Sequence, residues 1–287
     1  MLKKNQVTDS FCSGAAYVRA MFLFAALALC SSTVAGEKLV SITNKKANGV
    51  TSFFVQNLQS AEVTVTIEAK VTNYKSDNTL PVTLTVAPKS KVEAFTLSPV
   101  DPNSDANWSY TYFATWGNLT AKHDDTYVYS LPFAPGQAYP VSQGFHGAYS
   151  HTGGDAFAID FKMDIGTHVH AARGGVVVGS RDDSSTGGPD KAYEWDANYV
   201  LIKHNDGTYG HYVHLQKGSN RVKVGDIVKP GDWIGCSGNT GHTTGPHLHF
   251  AVFKAVDGKS RQTFPVRFNA NGLLAQTLKE GTTYRAL

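Results

Sequence analysis

The sequence is poor in cysteine. Cys12, Cys30 and Cys236 are its three, and the first two lie in the leader. Without that leader only Cys236 remains, and an intramolecular disulfide is excluded. An excess of charge of one sign is also missing. The 26 basic and 23 acidic residues leave +3. Residues 1–36 hold Lys3, Lys4 and Arg19 against Asp9, so their removal leaves 23 basic and 22 acidic residues. A balance that close to neutral gives no electrostatic footprint for nucleic acid. The apolar run at 20–29 is too short for a membrane span, which needs about 20 apolar residues. Long helical periodicity is absent from 141–287, which excludes the α/β crossovers that a parallel sheet requires.

What is present begins with an export signal. Basic residues precede the apolar run, and the small residues Ser31, Ser32, Ala35 and Gly36 follow it. Cleavage after Ala35 or Gly36 is expected. The mature chain is then exported, periplasmic or extracellular, with no stable membrane insertion. An uncleaved N-terminal anchor is the alternative. A lipoprotein fits less well, because Leu27 stands where a small residue is wanted before Cys30.

Residues 37–130 read as short strands. Val63, Val65 and Ile67 alternate with Thr64, Thr66 and Glu68, and Val82, Leu84 and Val86 alternate with Thr83 and Thr85. A period of two marks half-buried strands, and their number and spacing predict an Ig-like β-sandwich. Tyr110, Tyr112, Phe113 and Trp116 are assigned to its core. Prolines and a glycine at 132–136 predict an extended linker and a boundary there. Residues 131–287 are again strand-rich, and the expected fold is all-β with an antiparallel second sheet. Asp206-Gly207 between two apolar runs predicts a hairpin. A second hairpin is expected from 222–228, turning at Pro230-Gly231-Asp232 into 233–235. Residues 251–287 carry no evident chemistry.

The chemistry lies in histidines. His247 and His249 are two apart on an apolar strand and share one face, an economical way to aim two imidazoles at one metal. Asp160 is an acid within the apolar run 158–161. Burying it unpaired costs on the order of several kcal/mol, which a metal or a hydrogen-bonded partner would offset. His151 precedes a glycine-rich turn. Cys236 is read as a small buried thiol rather than a nucleophile. His168, His170, His204 and His242 are read as surface residues or as supports behind the site, and His211 is a weaker candidate for the cleft wall.

Three separated segments share a pattern. They are 237–250 with Gly245-Pro246-His247-Leu248-His249-Phe250, Tyr212-Val213-His214-Leu215, and Ala158-Ile159-Asp160-Phe161 followed by the 166–177 run. Together they resemble the lysostaphin/LytM-type zinc metallopeptidases over roughly 140–255, in that family's order. The resemblance implies a LytM-type peptidase domain (131–287, core 140–255) acting on peptidoglycan peptides. It implies zinc held by His151, Asp160 and His249, with His214 and His247 unliganded beside the reacting water. His247 is then the general base, and His214 its partner or an oxyanion stabiliser. One departure stands out. Many family members separate the first His and the Asp by four residues, whereas His151 and Asp160 are nine apart. Asp155 and His146 therefore remain alternative ligands. Two further functions stay open: a non-catalytic wall-binding or amidase-activating module, and a secreted protease cleaving Gly-rich sequences.

Overall fold

The computed structural model describes residues 38–287 and the backbone of one short strand, Asn5–Val7. The leader read over 1–36 lies outside the described residues, apart from that strand, which pairs antiparallel with residues 110–112. Among the described residues no helix is long and apolar enough to cross a membrane. The fold is all-β, with only two short 3-10 turns among the described residues.

Two four-stranded sheets build the N-terminal part. One runs Asn5–Val7, Asn107–Trp116, Val63–Thr72, Val82–Val86; the other runs Val40–Ala47, Val50–Asn57, Lys91–Pro99, Tyr74–Ser76. Their inner faces share one core of Val55, Val63, Val65, Ile67, Phe95 and Leu97, with Tyr110 and Tyr112 inside it. Phe53 stacks on Phe95 at 4.5 Å between ring centroids and meets Trp108 edge-on at 4.9 Å. The alternation at 63–67 predicts one wet face, but Thr64 and Thr66 are buried too. Their face is covered by the second half of the chain. The Gly258 amide donates to Thr66 Oγ1 at 2.9 Å, and Thr115 Oγ1 donates to the Gly258 carbonyl at 3.0 Å. A Cβ at Gly258 would lie 2.2 Å from the Thr66 nitrogen and 2.5 Å from the Phe113 oxygen. Both are strand backbone and cannot yield cheaply. Gly258→Ala is therefore expected to destabilise the chain by about 1–3 kcal/mol, read as a lower urea midpoint. An unchanged midpoint would contradict this junction.

The C-terminal part is organised by a nine-stranded sheet. Its central order is Gly175–Arg181, Tyr199–Lys203, Tyr209–Val213, Leu248–Ala255, Ile159–Phe161, Ala138–Gln143, all antiparallel. One face carries Val177, Val200, Ile202, Tyr212, Phe250, Ile159 and Phe161 into the main core. Residues opposite one another in register share a face, so Asp160, His249 and Val213 stand together on the other face. The expected 205–207 hairpin forms, with Gly207 at φ 84. The second expected hairpin does not. Ile227–Val228 pairs with Gly175–Arg181, whereas Trp233–Cys236 pairs with His168–His170. The turn at 230–232 thus sends two short strands to different partners. The predicted linker is packed: Leu131 and Phe133 are buried in the main core, and Phe133 bridges Val169 antiparallel.

Arg173 closes the base of the 205–207 hairpin. It is buried, donates to Asp206 Oδ2 at 2.7 Å, to Asn205 Oδ1 at 2.8 Å and to the Tyr129 hydroxyl at 3.0 Å, and lies over the Tyr127 ring. Burial pushes the Asp206 carboxyl up, but Thr208, the Asp124 amide and Arg173 hold it down at about 2. A depressed folded pKa means stability that is complete above the unfolded value near 4 and lost as pH falls toward the folded value. The stability gap between wild type and Asp206→Asn, measured by urea unfolding, is expected to close between pH 4 and pH 2. A constant gap across that window would contradict the assignment.

Candidate metal and catalytic centre

Neighbouring strands place the centre. Asp160 lies directly opposite His249, and His249 opposite Val213, after which the chain turns through His214 at φ 66. His249 Nδ1 is 2.9 Å and His151 Nε2 3.2 Å from Asp160 Oδ1. One ligand atom from each of His151, Asp160 and His249 lies within 4.8 Å of the others. Two donors on one tetrahedral zinc ion stand about 3.4 Å apart, given bonds near 2.1 Å. The trio has that scale.

The hydrogen bonds test whether a cation belongs there. His151 is fully buried, and its Nδ1 is 2.8 Å from the Gly144 carbonyl. A carbonyl only accepts, so Nδ1 carries the proton and a neutral His151 presents a lone pair at Nε2. That nitrogen has no hydrogen-bond partner and faces the Asp160 carboxylate. Acceptor facing acceptor is repulsive unless a cation sits between them. Two imidazoles and a carboxylate form a donor set that suits zinc. Burial pushes the Asp160 carboxyl up, but the closely facing His151 and His249 rings and nearby histidine charge hold it well below the usual carboxylate range. Burial likewise opposes charge on His151, yet Asp160 and the Gly144 carbonyl raise its pKa. Both shifts report a pocket that wants positive charge.

Two more imidazoles flank the trio. His214 Nδ1 donates to the Thr240 carbonyl at 2.6 Å, and His247 Nδ1 to the Gly245 carbonyl at 2.8 Å. Each therefore turns an unprotonated Nε2 away from the backbone. Their rings are 4.5 Å apart, and His247 Nε2 lies 3.8 Å from Asp160 Oδ1. Burial and the neighbouring histidines lower His214 to about 3, and burial lowers His247 against the opposing pull of Asp160. Both are neutral near pH 7 and able to accept a proton.

The competing ligands go elsewhere. Asp155 ends the 3-10 turn Gly153–Asp155 and pairs with Arg261. His146 stands edge-on to Phe157. The nine-residue spacing is accommodated by a folded loop, held by His146 N to Ala156 O at 2.7 Å and His151 N to Gly147 O at 3.0 Å. His211 lies beside the centre, against Arg261 and Phe253, outside the trio. His204 is neither at the surface nor behind the centre: it is buried in the 205–207 hairpin, bonded to Thr208. His168 stacks on Trp233, His170 bonds the Gly231 carbonyl, and His242 bonds the Pro189 carbonyl. Cys236 is half-buried, and burial pushes its thiol up, which disfavours the thiolate that a nucleophile needs.

Sequence reasoning missed several supports. Arg261 lies in the stretch read as free of chemistry, yet it anchors the His151 loop through Asp155. Thr243 Oγ1 lies 3.3 Å from His247 Nδ1. Gln143 donates to Asp160 Oδ2 at 3.1 Å. A polar residue ending an apolar strand was the signal available for Gln143. Nothing local marked Arg261.

Known proteins resemble parts of this chain in sequence. Residues 155–263 match peptidase family M23. His151 lies just N-terminal to that range, and the other four residues lie within it. Peptidoglycan DD-endopeptidase ShyA of Vibrio cholerae is 38% identical over 129 residues, which cover 45% of this chain and 25% of ShyA. Lysostaphin of Staphylococcus simulans is 42% identical over 99 residues, covering 34% of this chain and 18% of lysostaphin. The solved catalytic domain of lysostaphin aligns over 51% of this chain and 95% of that domain, at 29% identity and a TM-score of 0.30. This chain spans about a quarter or less of the length of these curated relatives. Across residues 155–263 it carries a domain of peptidase family M23.

Proposed function

We propose that this chain is a zinc-dependent endopeptidase that hydrolyses peptide bonds in peptidoglycan stem peptides or cross-links. The observation that carries the reading is the buried trio of His151, Asp160 and His249, with an acceptor-to-acceptor contact that calls for a cation. The similarity to ShyA, a peptidoglycan DD-endopeptidase, supplies the substrate class. The leader read over 1–36 supports action outside the cytoplasmic membrane.

His151, Asp160 and His249 would hold the ion. Zinc, when bound, would supply Lewis-acid polarisation of the scissile carbonyl and lower the pKa of a water toward about 7. The chain's own residues then handle protons. His247 Nε2 accepts the proton of the attacking water and, as the imidazolium, returns it to the leaving amine. His214 Nε2 also carries a lone pair, so it orients the same water as a second acceptor. The sandwich built on 37–130 is proposed as an accessory domain to the peptidase domain at 131–287.

The test is mass spectrometry of soluble products from purified sacculi of different cross-link chemistry. Release of muropeptides with newly freed amino and carboxyl termini is expected. A folded, zinc-replete chain that cleaves no sacculus and no cross-link peptide would sink the reading.

A further inference from the structure

Gln143 ends the strand Ala138–Gln143, where the ladder to Ile159–Phe161 slips. Val141 opposes Phe161, but Gln143 rather than Ser142 opposes Asp160. Such an irregularity re-aims a side chain. In regular register Gln143 would share the apolar core face of Val141; the slip puts it on the face that holds Asp160 and His249. The side chain is buried there, and its amide is fully used. Nε2 donates to Asp160 Oδ2 at 3.1 Å and to Ser150 Oγ at 2.7 Å. Oε1 accepts from the Tyr149 amide at 3.1 Å and the Ser150 amide at 3.3 Å. Two donors and two acceptors complete a primary amide.

We propose that Gln143 is a positioning residue for metal binding: one amide orients Asp160 and clamps the loop that delivers His151. The proposal rests on reading His151, Asp160 and His249 as the zinc ligands. Asp160 divides its oxygens, with Oδ1 toward the histidines and Oδ2 toward Gln143. The residues held by Oε1 immediately precede His151. The clamp thus compensates for the long His151–Asp160 loop, whose Gly153 and Gly154 would otherwise leave His151 loosely placed. Partners behind the ligands commonly set metal affinity in this way.

The test is zinc affinity of the full chain, measured by competition with a chelating dye, for wild type, Gln143→Met and Gly147→Ala. Met keeps the bulk of the side chain and removes both amide poles. The Gly147→Ala change leaves Gln143 in place chemically, but its new Cβ would lie 2.2 Å from Gln143 Cγ, so the clamp must move. Both variants are expected to fold, by circular dichroism, and to bind zinc about 10–100-fold more weakly. Cobalt(II) absorption separates positioning from general loosening. The bands of loaded Gln143→Met are expected to shift, because Asp160 meets the ion at a changed angle; a purely structural role leaves them in place. Folded variants that bind zinc as tightly as wild type, with unshifted cobalt bands, overturn the clamp alone. A wild type that binds no zinc overturns the ligand reading and the clamp together.

Discussion

His247→Ala lowers the turnover of a cross-link peptide by about 10²–10⁴-fold, the usual contribution of a positioned general base, while the chain still takes up zinc. His247 and its neighbour two residues on have different surroundings. His249 points Nδ1 at Asp160 Oδ1 at 2.9 Å, inside the trio. His247 spends its Nδ1 proton on the Gly245 carbonyl and keeps Nε2 as a free base at the edge of the trio. Its lowered pKa favours the unprotonated base at neutral pH. Removing the ring deletes a proton acceptor and leaves three metal-binding groups intact. The check is steady-state kinetics beside metal analysis on the same preparation. A variant that loses zinc together with activity would move His247 into the ligand set.

Asp160→Ala removes zinc binding itself. Asp160 is the only carboxylate of the trio and is 8% exposed, with both histidine contacts made through one oxygen. Without it the pocket holds neutral imidazoles alone, and nothing offsets the desolvation of a divalent cation. Ligand that binds only the folded state stabilises by about 2.7 kcal/mol at a hundredfold excess over Kd. For a chain of this size that is a rise of about 5–10 °C in melting temperature. Wild type is expected to show that rise on adding zinc, and Asp160→Ala none. Equal rises in the two proteins would place the zinc elsewhere.

Much of this centre was legible in the sequence because its parts are local. His247-Leu248-His249 carries its own geometry, and Asp160 announces itself as an acid within an apolar strand. The alternation at 63–67 and the Asp206-Gly207 turn marked real strands and a real hairpin for the same reason. What stayed hidden depends on distant packing. The slip that turns Gln143 onto Asp160 belongs to the ladder between two strands and leaves no trace in either alone. Arg261 finds Asp155 across more than a hundred residues. Thr66 reads as solvent-facing and is buried, because a glycine loop from the other half of the chain covers it. The strands at 227–228 and 233–236 looked like a hairpin because turn chemistry specifies the turn, not the partner each strand takes afterwards.

The most direct measurement is paired. The purified chain is stripped with a chelator, its zinc content is followed on restoration, and release of peptide fragments from sacculi is recorded at each point. The account predicts one zinc per chain held by His151, Asp160 and His249, with fragment release rising in step with occupancy to a maximum at one equivalent. Full activity in the stripped protein, or one bound zinc with no peptide bond cleaved, would contradict it.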